Sequence, residues 1–285
     1  MPELPEVETM CRGVAQVVGC RIVGVVRPKC MLKPITMAPA LAVFRRRAVG
    51  RTIERVDRVG KRVVLRLDGA RRDSIVIEPR MTGLVLLAEP PNRDHLRLVL
   101  QLAEGTAPEL LFWDRRGLGV VRMVAADEFE RRYGPGLIGP DALTATGELL
   151  RERLGASRRE IKVALLDQRG VAGIGNLYAA EILHLAGIHP LRRCHRLGPG
   201  DWQALSRAVV EVLTEAIRYE GSTLSDGTYR NAQNAPGGYQ NQHRVYDRSG
   251  ELCGGCRQDT IVRIVQAQRS TFFCPTCQPL RIRRR

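Results

Sequence analysis

The chain has 285 residues, enough for two domains with apolar cores that need no covalent staples. Hydrophobic residues make up 44% and charged residues 26%, which excludes a disordered chain, and no apolar stretch reaches the length of a membrane span. The 45 Lys+Arg against 30 Asp+Glu give a net charge of +15, which favours a polyanionic partner because each neutralised phosphate releases a counterion. Only four of those cations are lysines, at Lys29, Lys33, Lys61 and Lys162, so each remaining lysine is worth a question. The alternative source of the excess is an arginine-rich composition with no ligand behind it. The first residues are acidic where a signal peptide needs a basic segment and an apolar run, so the expected compartment is a reducing cytoplasm.

In chain order, Val7 to Val18 carries apolar residues at helical spacing and Gly19 supplies a stop. The pattern then changes to short β-branched runs at Ile22 to Val26, Arg62 to Leu67, Ser74 to Ile77, Leu84 to Leu87, Leu96 to Leu102, Leu110 to Trp113 and Val120 to Val124. This half reads as a β-sandwich of residues 1–132. Turn residues around Tyr133 to Gly136 and at Gly139 and Pro140 mark a hinge over 133–147. Apolar stripes at Glu148 to Leu154, Arg159 to Gln168, Leu177 to Ala186 and Trp202 to Tyr219 then predict a helical module over 148–240. Between two of these helices, Asp167 to Asn176 is a glycine-rich turn leading into a helix start. Such a turn suits a phosphate, since backbone amides and the helix dipole point at an anion, although ordinary turn punctuation is the commoner meaning of its glycines.

The last module, 241–280, carries Cys253-Gly-Gly-Cys256 and Cys274-Pro-Thr-Cys277 with seventeen residues between the pairs. That spacing predicts one structural zinc held by four thiolates on a β-hairpin, with a strand from Thr260 to Val265 and its return from Arg269 to Phe273. A redox dithiol or two disulfides is the competing reading. Cys11, Cys20, Cys30 and Cys194 are expected to be small buried hydrophobes. The tail 281–285 is a basic end.

Three separate signatures, the opening Pro2-Glu3-Leu4-Pro5-Glu6-Val7-Glu8-Thr9, the segment Gly173 to Glu181 and the two-knuckle hairpin, together resemble the formamidopyrimidine-DNA glycosylase and endonuclease VIII family. The resemblance spans nearly the whole chain. It implies an α+β protein with an N-terminal β-sandwich, a helix-two-turn-helix bundle and a zinc finger, acting in base excision repair as a monomer on double-stranded DNA with oxidised bases or abasic sites. It implies that Pro2, freed by loss of Met1, is the nucleophile, with Glu3 a proton shuttle, Glu6 a supporting carboxylate and Lys61 a phosphate holder. The chemistry is consistent with that role: an α-amino group with a pKa near ~8 is roughly a tenth neutral at pH 7, whereas a lysine near ~10.4 is almost wholly protonated. Without the other two signatures, Pro2 to Glu6 would read as an extended lead-in and helix cap.

The resemblance further implies DNA contacts by His95, Lys162, Asn176, Tyr178 and Arg269, and filling of the vacated base stack by Met81, Arg116 and Leu118. The lysines could equally be solvated charges, Met81 and Leu118 core residues, and Arg116 a surface cation. This sequence departs from the family at three positions. Leu118 stands where the purine-specific branch has phenylalanine, Glu78 where it has histidine and Arg80 where it has glycine. A carboxylate beside a phosphate is repulsive, so either Arg80 compensates Glu78 or the loop is arranged differently. The implied activity is excision of formamidopyrimidine and 8-oxoguanine with strand nicking by β,δ-elimination. An endonuclease VIII-like enzyme for oxidised pyrimidines and a damaged-DNA-binding protein without turnover are the alternatives.

Overall fold

The computed structural model of the chain describes residues 2–280; the basic tail 281–285 and Met1 lie outside the described residues. The first compact unit comprises 1–134 together with 217–240, and the second 135–216 together with 241–285. Residues 217–240, expected at the end of the helical module, therefore pack with the β-rich unit, for a reason given below.

The first unit opens with α1 (Leu4–Gly13), which starts earlier and ends sooner than the apolar spacing predicts. Pro5 is tolerated in the first turn, where its missing N–H has no helical partner to lose. The expected continuation to Val18 is instead a separate 3-10 turn, Ala15–Val17. The strands are β1 (Arg21–Val26), β2 (Thr36–Ala38), β3 (Ile53–Val59), β4 (Arg62–Leu67), β5 (Ser74–Glu78), β6 (Gly83–Leu86), β7 (Leu96–Ala103), β8 (Glu109–Asp114) and β9 (Val120–Val124). They form a four-stranded sheet in the order β1-β7-β8-β6 and a five-stranded sheet in the order β2-β9-β5-β4-β3. Val63, Leu65, Ile75 and Ile77 of one sheet share a single apolar core with Leu84, Leu98, Leu100 and Phe112 of the other and with Val7 and Met10 of α1. Two short helices, α2 (Leu41–Ala48) and α3 (Ala126–Tyr133), were not expected. Each buries just two side chains, Phe44 and Ala48 or Phe129 and Tyr133, and is otherwise dominated by charge. Arg66 covers the Phe129 ring at 3.9 Å, and Arg62 lies over Tyr133 at 5.1 Å.

One glycine in this unit is set by close packing. A Cβ on Gly83 would lie 2.5 Å from the Pro79 carbonyl oxygen and 2.9 Å from the Phe112 ring. Gly83→Ala should therefore cost about 1–3 kcal/mol, the usual penalty of overpacking, read as a lower Tm in thermal unfolding. An unchanged Tm would show that the turn before β6 yields freely.

The second unit holds α4 (Gly147–Leu154), α5 (Ile161–Leu165), α6 (Asn176–Leu185) and most of α7 (Pro199–Arg218). Only five residues of the expected Arg159 to Gln168 helix are helical, because Asp167 and Gln168 are drawn into the glycine turn. The Asp167 carboxylate accepts from the Arg169 amide at 3.1 Å, while the Gln168 side chain donates to Leu166 O and Ile174 O and accepts from Gly173 N. The zinc-type hairpin is β10 (Val262–Gln266) and β11 (Arg269–Phe273), paired from Val262↔Phe273 to Gln266↔Arg269. No helix among the described residues is long and apolar enough to cross a membrane.

Candidate active site and zinc centre

The N-terminal site is assembled by a reciprocal cap. Glu3 is the N-cap of α1, its side chain accepts from the Glu6 amide, and Glu6 Oε2 accepts from Glu3 N at 2.8 Å. The other Glu6 oxygen accepts from Ser222 N at 2.9 Å, and Tyr229 Oη donates to the Glu6 carbonyl at 3.4 Å. These bonds fasten the 217–240 segment to the N-terminal end of α1, which is why it belongs to the first unit. Glu6 is 2% exposed, so this carboxylate is structural in its surroundings while adjoining the candidate nucleophile. Burial first, and the Glu6 charge second, hold the Tyr229 phenol well above its ordinary pKa, leaving it a proton donor. At Gly221 the backbone has φ +80 and a Cβ would meet Glu6 Cγ at 2.9 Å, so glycine alone permits the approach.

Pro2 is buried and lines a narrow pocket with Met81, Thr82, Leu84, Leu224, Asp226 and Tyr229. The space is about 10 Å³, room for roughly one water and too small for a nucleobase as it stands. Four further predicted residues of this unit lie at one end of the four-stranded sheet. Met81 precedes β6, His95 precedes β7, and Arg116 and Leu118 follow β8. Asp114 joins these turns: Oδ1 accepts from Thr82 Oγ1 at 2.5 Å and Arg116 N at 3.2 Å, and Oδ2 from Gly119 N at 2.7 Å. Its main-chain N donates to His95 O at 2.9 Å. Met81 and Arg116 are thereby held side by side with both side chains exposed, Leu118 is half-buried, and the His95 ring stacks edge-on against Trp113 at 5.4 Å. Sequence reasoning missed Asp114, although a carboxylate beside Arg115 and Arg116 at a strand end was a legible signal.

Lys61 sits in the tight turn joining β3 and β4, after Gly60 at φ +57, one residue before the strand start that the sequence suggested. Glu78, the departure from the family pattern, is encircled by cations. Arg122 Nη1 lies at 3.0 Å, Arg80 Nη2 at 3.2 Å and Arg62 Nε at 3.5 Å from its carboxylate. Arg80 does compensate it, with two further arginines.

In the second unit, Lys162 is not presented to solvent as expected. It is 1% exposed, and its ammonium donates to Asn176 Oδ1 at 2.7 Å, Ser270 O at 3.0 Å and Thr271 Oγ1 at 2.7 Å. Asn176 Nδ2 donates to Ser270 O at 3.0 Å. A buried cation thus ties α5, the start of α6 and β11 together, and Lys162 positions Asn176 from beneath. Lys162→Met should strand these acceptors and cost about 3 kcal/mol or more of stability in this unit, measured by denaturant unfolding; a neutral result would remove the lysine from this role. The Tyr178 ring, expected to touch DNA, is fully buried, while Arg269 is exposed at the start of β11. Sequence reasoning also missed Glu181, whose carboxylate accepts from the amides of Arg244, Val245 and Tyr246 at 2.7 to 2.9 Å and so anchors the turn leading to the finger.

The four finger thiols lie within 4.8 Å of one another, with Cys253–Cys277 at 3.7 Å and Cys256–Cys274 at 3.6 Å. The edge of a tetrahedron with Zn–S bonds of about 2.3 Å is about 3.8 Å, whereas a disulfide needs about 2.05 Å. The donor set therefore fits one structural Zn²⁺, which when bound supplies the clamp that the small hairpin core lacks. Of the other cysteines, Cys11, Cys20 and Cys194 are buried as expected, but Cys30 is half-exposed and hydrogen-bonded.

Three family models match in sequence: the formamidopyrimidine-DNA glycosylase N-terminal domain over residues 1–121, the formamidopyrimidine-DNA glycosylase H2TH domain over 138–228, and the zinc finger found in FPG and IleRS over 250–280. The formamidopyrimidine-DNA glycosylase of Chloroflexus aurantiacus is 42% identical over 283 residues, covering 98% of both chains. This chain belongs to the formamidopyrimidine-DNA glycosylase family. A solved complex of wild-type Lactococcus lactis Fpg with N7-benzyl-Fapy-dG DNA superposes with a TM-score of 0.85 at 31% identity, over 98% of this chain and 100% of that one. A complex of Lactococcus lactis Fpg with abasic-site DNA gives 0.84 at 30% identity, over 97% and 99%. The protein is thus a DNA glycosylase of the Fpg family, a repair enzyme with a zinc finger, and its four-cysteine cluster is that finger's metal site. Asp114, Lys162 and Glu181 are scaffolding: they hold the turn of Arg116 and Leu118, the start of α6 at Asn176, and the segment at 244–246.

Proposed function

We propose that this Fpg-family enzyme excises oxidised purines, formamidopyrimidines and 8-oxoguanine, and nicks the resulting abasic strand through a covalent bond to Pro2. The observation that carries the reading is the placement of Pro2 in a pocket formed by Met81, Thr82 and the Leu224 to Tyr229 stretch, with Glu3 fixed beside it as the helix cap. The neutral Pro2 amine attacks C1′ and the bond to the damaged base breaks, the base leaving with a proton. Glu3 protonates O4′ as the sugar ring opens, giving an iminium on Pro2. That cation acidifies the 2′ hydrogen. Its loss expels the 3′ phosphate, a second elimination expels the 5′ phosphate, and water releases the sugar fragment and regenerates the amine. Lys61, His95, Asn176 and Arg269 hold backbone phosphates, with Lys162 beneath Asn176, Tyr178 packed in the fold behind it, and Met81, Arg116 and Leu118 filling the vacated stack.

The purine assignment is supported by the Fapy-dG complex of the Lactococcus lactis relative and by exposed Met81 beside Arg116. Leu118 favours the second reading, an endonuclease VIII-like preference for pyrimidines, because an aliphatic wedge stacks less well than phenylalanine. Single-turnover excision from matched duplexes carrying 8-oxoguanine, formamidopyrimidine or an oxidised pyrimidine decides between them. The purine lesions are expected to be cut faster; faster pyrimidine release would establish the second reading, and binding without release of either would mean that turnover is lost.

A further inference from the structure

Between β1 and β2, the loop from Arg27 to Ile35 carries two of the chain's four lysines, Lys29 and Lys33. With Arg97 of β7 it lines a cavity of about 270 Å³, whose charged lining residues are Arg27, Lys29 and Arg97. Arg97 is 3% exposed. Its Nε donates to Asp114 O at 2.8 Å and its Nη1 to Cys30 Sγ at 2.7 Å, while Nη2 is buried with no partner. A buried guanidinium without an opposing charge is costly, so the counter-charge has to be found.

Neither neighbour supplies it. Cys30 Sγ lies 3.0 Å from Asp94 O. A carbonyl oxygen can only accept, so the sulfur is the donor in that contact and only a weak acceptor for Arg97. The Asp114 carboxylate is directed to Thr82, Arg116 N and Gly119 N, and reaches Arg97 only through its main-chain carbonyl. We propose that this cavity binds a phosphate group, with Arg97 as its floor and the exposed Arg27 and Lys29 as its rim. Arginine suits the floor because its planar fork matches phosphate oxygens, and lysine suits the rim as a point charge.

The loop also rests on the turn that carries Arg116 and Leu118, since a Cβ on Gly117 would collide with the Lys33 carbonyl oxygen. That contact favours a backbone phosphate of duplex DNA over a free phosphate. The choice of source rests on the DNA-facing reading of the turn; the phosphate chemistry of the cavity does not.

The test compares the full-length protein with Arg97→Met and with an Arg27→Gln, Lys29→Gln double variant, whose exposed substitutions keep the experiment informative if Arg97→Met fails to fold. Thermal unfolding in sodium phosphate is set against sodium chloride at matched ionic strength. The salt dependence of binding to undamaged duplex is measured alongside. Phosphate is expected to raise the Tm of the wild type and not of the variants, and the log–log salt slope is expected to fall by about 0.9 per lost contact. A phosphate-dependent Tm with an unchanged slope supports the site but assigns it to free phosphate. Equal Tm values in both salts together with unchanged slopes overturn the proposal. Borohydride trapping on the same samples keeps the two readings apart: an adduct without any phosphate effect sinks only this site, and a phosphate effect without an adduct sinks only the covalent mechanism.

Discussion

Replacing Pro2 with leucine is expected to abolish the borohydride-trapped adduct with abasic DNA. The substitution removes the secondary amine and, through its bulk, keeps Met1 in place, so the α-amine that remains is a primary one set one residue further from Glu3. An α-amino group near ~8 offers about a tenth of its population as nucleophile, against well under a hundredth for a lysine near ~10.4. Intact mass of the wild-type protein should show Met1 absent, and peptide mapping of the trapped species should place the sugar on Pro2. Glu3→Gln leaves an oxygen able to accept from the Glu6 amide, so the cap survives while proton transfer is lost. Its excision rate is expected to fall on the order of 10²–10⁴-fold with the fold intact. Trapping of the Pro2→Leu protein at the wild-type yield, or an adduct mapped to Lys61, would remove Pro2 from the mechanism.

Cys253→Ser is the second change with a large expected effect. Apart from its cysteines, the hairpin core is Ala180, Val245, Ile261 and Phe272, too little apolar surface to hold a two-stranded module. Metal ligation replaces it, and structural zinc in finger peptides is worth about 10–16 kcal/mol in apparent binding free energy. The variant should therefore lose its equivalent of zinc, measured by atomic absorption, and β10 and β11 should lose hydrogen-exchange protection. Because Ser270 and Thr271 of β11 receive Lys162 and Asn176, the loss extends beyond the finger to the start of α6. Removing the Arg269 contact should lower the DNA salt slope by about 0.9, and loss of the neutral Asn176 contact should weaken binding without changing the slope. Residues 1–134, which contain none of the four ligands, should keep their protection. Retained zinc with an unchanged slope would contradict both the ligand set and its coupling to DNA.

The individual residues show where sequence reading succeeds. β4 and β9 were bounded to the residue because β-branched runs flanked by turn residues leave little freedom, and the zinc spacing needs only the geometry of two knuckles around one tetrahedron. α2 and α3 were invisible for the opposite reason. Their apolar faces are two residues wide, and the helical state is held by packing on the sheets and, in α3, by arginines stacked on aromatic rings.

The same division runs through the site. Pro2, Glu3, Glu6, Met81 and Arg116 could be named from the resemblance, yet what holds them in place was not legible. Asp114 acts through backbone amides and a threonine on neighbouring turns, and the Glu6 bond to Ser222 spans 216 residues. Lys162 is the sharpest case, since a lysine in a basic chain reads as a surface charge and oxygens brought in from distant segments make its burial tolerable. By itself the sequence determined which chemistries the chain carries, a proline at position 2, a four-thiol metal site and an excess of arginine, because these are properties of residue type and local spacing. The tertiary structure alone decided which charges face outward and which are enclosed, because the cost of burying a polar group depends on partners that the chain brings together only when it folds.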